Sequence, residues 1–154
     1  MNRILVVFAV TACVLELSSC WISEEPARQT DDWAGPENLA GGSSIATAPL
    51  INLDTWYADY ISTGETLWFE VNDSQLKTYH IFWDDAVQGS GLYTADITVS
   101  ATSTDENSSY TGTLNNGYDD PLHVTPWEST FYLKVYGSTD GTFAIGAEES
   151  QIGD

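Results

Sequence analysis

The chain has 154 residues, of which 23 are acidic and four are lysine or arginine, so its formal net charge at pH 7 is -19. A surface of this charge repels phosphate backbones, and nucleic-acid binding is therefore excluded. Hydrophobic residues make up 42% of the sequence, with six Trp, eight Tyr and five Phe, which is enough for one buried core.

The first 19 residues have the pattern of an export signal. Arg3 supplies a positive charge, residues 4–15 are almost all apolar, and small residues follow. The apolar run is about a dozen residues long, which is too short for a permanent membrane span. We therefore expect residues 1–19 to be a signal peptide.

The end of this signal, Leu17-Ser18-Ser19-Cys20, resembles the lipobox of bacterial lipoproteins, in which the cysteine becomes the lipidated first residue. The resemblance implies acyl chains on Cys20, and two or more chains anchor a protein stably because each buried methylene contributes about 0.8 kcal/mol. It implies an extracytoplasmic protein, lipid-anchored to a bacterial membrane and facing the periplasm or the cell surface. The alternative is a secreted protein with a free Cys20.

Residues 20–49 are rich in Ser, Glu, Asp, Gly and Pro and contain few branched apolar side chains. A segment of this composition buries too little surface to fix its backbone. We therefore expect residues 20–49 to form a disordered acidic tether.

From Leu50 onwards, apolar and polar residues alternate with a period of two, as in half-buried strands. No window has a helical period, and turn sequences rich in Asn, Asp, Gly and Ser separate the runs. The pattern predicts one all-β domain, an antiparallel β-sandwich over residues 50–148, followed by a tail at 149–154. Clear runs lie at residues 66–72, 79–83, 93–101 and 131–136, and a last strand begins at Phe143.

Two local features of these strands are specific enough to test. Asp140-Gly141 lies between two alternating runs and predicts a β-hairpin. In the run from Tyr79 to Trp83, odd-numbered residues are expected to face the core, and His80 and Phe82 to face away. The adjacent Asp84 and Asp85 are then expected to end the strand in solvent.

Parts of this domain resemble the bacterial pre-peptidase C-terminal domain. The resemblance rests on Gly64-Glu65 with Leu67-Trp68-Phe69-Glu70-Val71, and on the ending Thr130-Phe131-Tyr132-Leu133-Lys134-Val135-Tyr136-Gly137 with Gly141-Thr142-Phe143-Ala144-Ile145. It covers about residues 50–147 and implies a jelly-roll-like β-sandwich. Such domains are usually noncatalytic modules of secreted peptidases or surface proteins, and some bind calcium, collagen or polysaccharide. In this chain the predicted lipid anchor takes the place of the peptidase.

The sequence does not predict an enzyme. His80 and His123 are the two imidazoles, and each lies in a position where a solvated or hydrogen-bonded histidine is the simpler interpretation. Ser90 lies between two glycines, a pattern that indicates loop flexibility rather than a nucleophile on a strand-to-helix turn. A small hydrolase with paired carboxylates is the less favoured alternative.

Calcium is the one metal for which the sequence offers ligands, because it binds carboxylate and amide oxygens in loops. The candidate ligands are Asp84, Asp85, Asp119 and Asp120, with a further acidic loop at residues 105–107. The alternative is that these loops are acidic only because they are solvated. Zinc is not expected, since Cys and His do not cluster.

Exposed aromatic rings beside Asp and Asn suit a saccharide, because ring faces accept C–H surfaces while polar groups bind hydroxyls. The candidate ligand-binding residues are Trp56, Tyr57, Trp127, Tyr132 and Tyr136. For Tyr132 and Tyr136, the alternative is a cross-strand ladder that stiffens the sheet.

Together these features predict a noncatalytic, membrane-anchored envelope lipoprotein whose β-sandwich is a binding or adhesion module. Its expected partners are the membrane, through Cys20, and a polysaccharide or an envelope protein. The alternative is a structural or assembly lipoprotein that contacts another envelope protein.

Overall fold

The computed structural model describes residues 33–72, 77–104, 109–110 and 117–150. Within these ranges the chain is all-β, apart from one 3-10 turn at Ile45–Thr47. The strands are β1 (Ala34–Asn38), β2 (Thr55–Ile61), β3 (Thr66–Asn72), β4 (Tyr79–Asp84), β5 (Ile97–Thr102), β6 (Ser109–Tyr110), β7 (Leu122–Val124), β8 (Thr130–Gly137) and β9 (Gly141–Glu149).

The strands form two sheets that pack face to face. One sheet has the order β1-β2-β9-β4-β7 and the other the order β3-β8-β5-β6. Neighbouring strands are antiparallel except for β1 and β2, which run parallel. The predicted all-β sandwich is therefore confirmed.

The core lies between the two sheets and is closed by aromatic contacts across it. Phe69 on β3 meets Phe143 on β9 with ring centroids 6.3 Å apart, and Tyr79 on β4 meets Phe131 on β8 at 5.4 Å. These four rings are almost fully buried. Edge-on and tilted rings of this kind pack closely and add to the energy of apolar burial.

The predicted hairpin at Asp140-Gly141 is wrong. Strands β8 and β9 belong to different sheets, so residues 138–140 carry the chain across the edge of the sandwich. The crossing is held by the turn between β2 and β3, where the Gly64 N–H donates to the Gly137 carbonyl at 2.8 Å. The chain must cross between the sheets here because Phe131 and Phe143 fill the core from opposite sheets.

The predicted strand at 93–101 begins later than expected, at Ile97. The N–H groups of Thr94 and Ala95 both donate to the Thr142 carbonyl, at 3.0 and 2.9 Å. Residues 93–96 therefore wrap the start of β9 and do not extend β5.

The predicted tether is wrong for residues 33–49, which we call the N-terminal strap. Its first part forms β1, and Gly42 exchanges backbone hydrogen bonds with Trp68 of β3 at 2.9 and 2.8 Å. Trp33 anchors the strap, with its ring 5.3 Å from that of Trp56 and 5.5 Å from that of Phe82. Residues 20–32 lie outside the described ranges.

Gly146 on β9 is what makes room for this anchor. A Cβ built at this position would overlap the Trp33 ring, so any larger residue would displace the strap. The composition of residues 20–49 does not indicate this contact, because it depends on one tryptophan in a mostly polar segment.

Replacing Trp33 with alanine tests whether the strap is part of the folded domain. We expect Trp33→Ala to lower the free energy of unfolding by about 1–3 kcal/mol, because a half-buried ring and its contacts are lost. Urea unfolding measures the change. The control is Leu92→Ala, at a residue that is 78% exposed, and its cost should stay within about 0.5 kcal/mol. Equal stabilities of the two variants would mean that residue 33 does not anchor the strap.

Candidate ligand-binding surfaces

Asp84 and Asp85 do not end β4 in solvent, as the sequence predicted, but are 4% and 3% exposed. The Oδ1 atom of Asp85 accepts the N–H groups of Val87 and Gln88, both at 2.8 Å, and Oδ1 of Asp84 accepts the Ser90 N–H at 3.1 Å. Aspartates often close loops in this way, by replacing a backbone acceptor. Burial raises the pKa of Asp84 despite the bonds from Ser90. These carboxylates thus organise the loop after β4.

The other predicted calcium ligands do not complete a metal centre with this loop. Asp119 is exposed and Asp120 is half-buried. In the part of the chain that the structure describes, no group of three or more His, Cys, Asp or Glu side chains is arranged to hold a metal ion. Calcium binding stays a prediction, and the candidate loop at 105–107 lies outside the described residues.

Two of the predicted ligand-binding rings prove to be packing residues. Tyr57 is 3% exposed and belongs to the core, and its hydroxyl accepts bonds from the Asn52 backbone and side-chain amides at 3.1 Å. It is therefore not available to a saccharide, which corrects the expectation for this residue. Trp56 is half-buried and packs on the opposite side of β2, against Trp33. The alternation of β2 explains why neighbouring rings have different roles.

Tyr132, Lys134 and Tyr136 point outward from β8, and we call this surface the tyrosine face. Lys134 lies over the ring of Trp68, with Nζ 5.5 Å from the ring centroid, a favourable cation–π distance. Tyr132 lies opposite Glu70. The pKa of the Tyr132 hydroxyl is raised mainly by burial, and to a smaller extent by the negative charge of Glu70. Tyr136 is 45% exposed. The two tyrosines have polar cross-strand partners, so they are a mixed polar and aromatic surface.

The outer side of the five-stranded sheet carries an aromatic layer that the sequence did not predict. It consists of Trp33, Trp56, Phe82 and Tyr118, which are linked through ring contacts of 5.3 to 6.2 Å. Phe82 faces away from the core as predicted, but the layer covers it and leaves it 9% exposed. The alternation within β4 predicts the side of the sheet on which Phe82 lies, but it does not predict which residues cover it.

Next to this layer, a histidine pair and a buried carboxylate lie side by side on β7, β4 and β9. The rings of His123 and His80 are 4.4 Å apart, and Nδ1 of His80 is 3.1 Å from Oε1 of Glu148. Glu148 is 3% exposed, and its Oε2 atom has no hydrogen-bond partner. Burial raises the pKa of Glu148, against the lowering effect of His80.

Glu148 therefore makes the stability of the domain depend on pH. Its pKa is higher in the folded state than in the unfolded state, so the folded state binds the proton more tightly and gains stability as the pH falls through that pKa. We expect Glu148→Gln to be more stable than wild type at pH 8, by up to about 1 kcal/mol, because no charge is buried. This advantage should shrink towards pH 4.5.

Urea unfolding across this pH range measures the effect. Glu149→Gln is a control, since Glu149 is half-exposed and binds Lys77 at 2.6 Å, and its variant should gain no stability over the wild type at pH 8 because an ion pair is lost. Parallel stability profiles for wild type and Glu148→Gln would contradict the assignment.

No family model and no curated protein matches the sequence. Among solved structures, the chain is similar to the pre-peptidase C-terminal domain of a collagenase from Bacillus anthracis. The TM-score is 0.51 at 19% sequence identity, over 66% of this chain and 94% of that one. The likeness to this solved structure establishes the β-sandwich fold, and the neighbour is of the domain type that the sequence motifs resemble.

No helix among the described residues is long and apolar enough to cross a membrane.

Proposed function

We propose that this chain is a noncatalytic binding module of the bacterial cell envelope, held at the membrane by lipid on Cys20, and that it binds a polysaccharide. The observation that carries the proposal is the exposure of aromatic side chains on a rigid sandwich. Tyr60, Trp127 and Tyr136 are 56%, 59% and 45% exposed, although the core is well supplied with rings. Exposed rings on a preformed surface are suited to ligand contact, because little ordering entropy is lost on binding.

The arrangement of the titratable residues supports a noncatalytic role. Neither His80 nor His123 bonds to a hydroxyl or thiol among the described contacts, so no activated nucleophile is formed there. Asp84 and Glu148 lie on one face, but the strand register puts their Cα atoms about 14 Å apart. The Asp84 carboxylate accepts from the Ser90 N–H and the Glu148 carboxylate contacts His80, so the two are held in separate contacts and do not form the facing pair of a glycosidase.

Two of the four sheet edges, β1 and β3, are unsuited to assembly by strand addition. Strand β1 is an exposed edge, but it contains Pro36 and Glu37, which discourage pairing with another strand. The outer edge of β3 is covered by Gly42 and Leu50 of the polypeptide that precedes it. An assembly protein that contacts another envelope protein is the second candidate, and the tyrosine face, where Lys134 lies over Trp68 and Tyr136 is 45% exposed, is the surface that favours it.

Membrane attachment is tested by replacing the proposed lipid site. Wild type expressed in a Gram-negative host should partition into the detergent phase on cloud-point extraction, and Cys20→Ser should move to the aqueous phase. The reason is that acyl chains supply the membrane affinity of a chain this acidic. Cys13→Ser, within the predicted signal, is the control and should partition as wild type. Aqueous partition of the wild type would remove the anchor from the proposal.

Polysaccharide binding is tested by native electrophoresis of the full chain through gels that contain dissolved polysaccharides. The detergent must lack a sugar headgroup, so that it does not compete. We expect at least one polysaccharide to slow the protein relative to an acidic reference protein. If every gel leaves the mobility unchanged, and crosslinking in the envelope instead captures one defined protein, the assembly function replaces the proposed one.

A further inference from the structure

The N-terminal strap separates from the five-stranded sheet at a defined point. Asn38 is the last residue of β1 paired with β2, opposite Ala58, and the Leu39 N–H donates to the Ala58 carbonyl at 3.2 Å. The Gly41 N–H then donates to Oδ2 of Asp59 at 2.8 Å, and the strap turns towards the other sheet. The divergence leaves a groove on the outer side of β2.

This groove has a volume of about 510 Å³, and we call it the strap groove. Ala58 gives it a floor with a small side chain and the exposed Ala40 lies at its rim, while Tyr60 forms one side and is 56% exposed. Tyr60 lies opposite Thr142 in the register of β2 and β9, so a ring face and a hydroxyl flank the same space. The full lining is Asn38, Leu39, Ala40, Ala58, Asp59, Tyr60 and Thr142.

The hydrogen-bonding groups of the strap groove suit an uncharged ligand. The exposed Asn38 offers an amide, and the exposed Thr142 offers a hydroxyl that makes one long contact of 3.4 Å with the Thr94 hydroxyl and can bond a further group. The one carboxylate, Asp59, is already used within the protein, since Oδ2 accepts from Gly41 and Oδ1 accepts from the Tyr60 N–H at 2.8 Å. Its charge is therefore partly balanced by backbone dipoles, and it does not demand a cation.

The charge of the chain excludes an anionic ligand at the same place. The net charge is -19, and Lys77 and Lys134, the two basic residues of the described ranges, do not line the groove. Lys134 lies on the other sheet, in the tyrosine face, and Lys77 binds Glu149. A sugar acid or a sulfated sugar would meet repulsion without a compensating cation.

We propose that the strap groove binds a neutral glycan, with the face of one pyranose ring stacked on Tyr60 and its hydroxyls bonded to Asn38 and Thr142. This inference rests on the proposed binding function and gives that function a site and a ligand class. The small side chains of Ala40 and Ala58 leave room for the chain to continue along β2.

The test is titration of the full chain, in a detergent without a sugar headgroup, against neutral hexasaccharides of glucose, mannose and N-acetylglucosamine and a hexamer of galacturonic acid. We expect a neutral hexamer to bind and the acidic one not to bind. Tyr60→Ala should weaken binding at least about tenfold, because the stacking surface is lost. Tyr60→Phe keeps that surface and should stay within about threefold of wild type.

A second variant blocks the site without removing its ring. Ala40→Trp places a large side chain at the exposed rim and should also abolish binding, while Tyr136→Ala, on the tyrosine face, should bind as wild type. Unchanged melting temperatures show that the variants fold. Glycan binding that survives Tyr60→Ala and Ala40→Trp, or that is lost in Tyr136→Ala, overturns the strap groove but leaves the polysaccharide function in place. Binding of no hexamer overturns the strap groove, and the gels decide the polysaccharide function separately.

Discussion

The structure depends on burying both faces of β9, the central strand of the five-stranded sheet. Its residues from Phe143 to Glu148 are all buried, although a half-exposed strand would alternate. One face packs against the other sheet through Phe143. The other face is covered by the aromatic layer, which Trp33 reaches only because position 146 is glycine. Strand β9 therefore has packed side chains on both of its faces, and the outer layer belongs in part to the N-terminal strap.

This constraint explains why sequence reasoning found the sandwich but misjudged the strap. Alternation in β3, β4 and β8 reports which side chains share a face, and that information was sufficient for the fold class. It does not report what covers a face, and Trp33 lies in a segment whose average composition is that of a disordered chain. A single ring that enters a space over Gly146 outweighs the polar residues around it, because apolar burial is local while composition is an average.

The candidate surfaces were only partly predictable for the same reason. The outward direction of Tyr132 and Tyr136 followed from the period of β8, and both lie on an outer face. The predicted ligand set includes Tyr57, although its position in the alternation of β2 puts it in the core. The set does not include Tyr60, whose position in the same alternation points outward. The contact between His80 and Glu148 joins β4 to the end of β9, and pairing between distant strands leaves no local signal in the sequence.

Charge distribution connects this packing to the type of ligand that the domain can accept. Folding buries Asp84 and Glu148 in a chain that already carries a large negative charge, and burial raises the pKa of both. Of the described lysines, Lys77 binds Glu149 and reduces the repulsion between carboxylates there, and Lys134 covers the ring of Trp68. The concave surface beside Tyr60 consequently has neither a free cation to attract an anion nor a free carboxylate to attract a cation. The glycan that we propose would be held there by ring stacking and neutral hydrogen bonds, which suit an uncharged sugar.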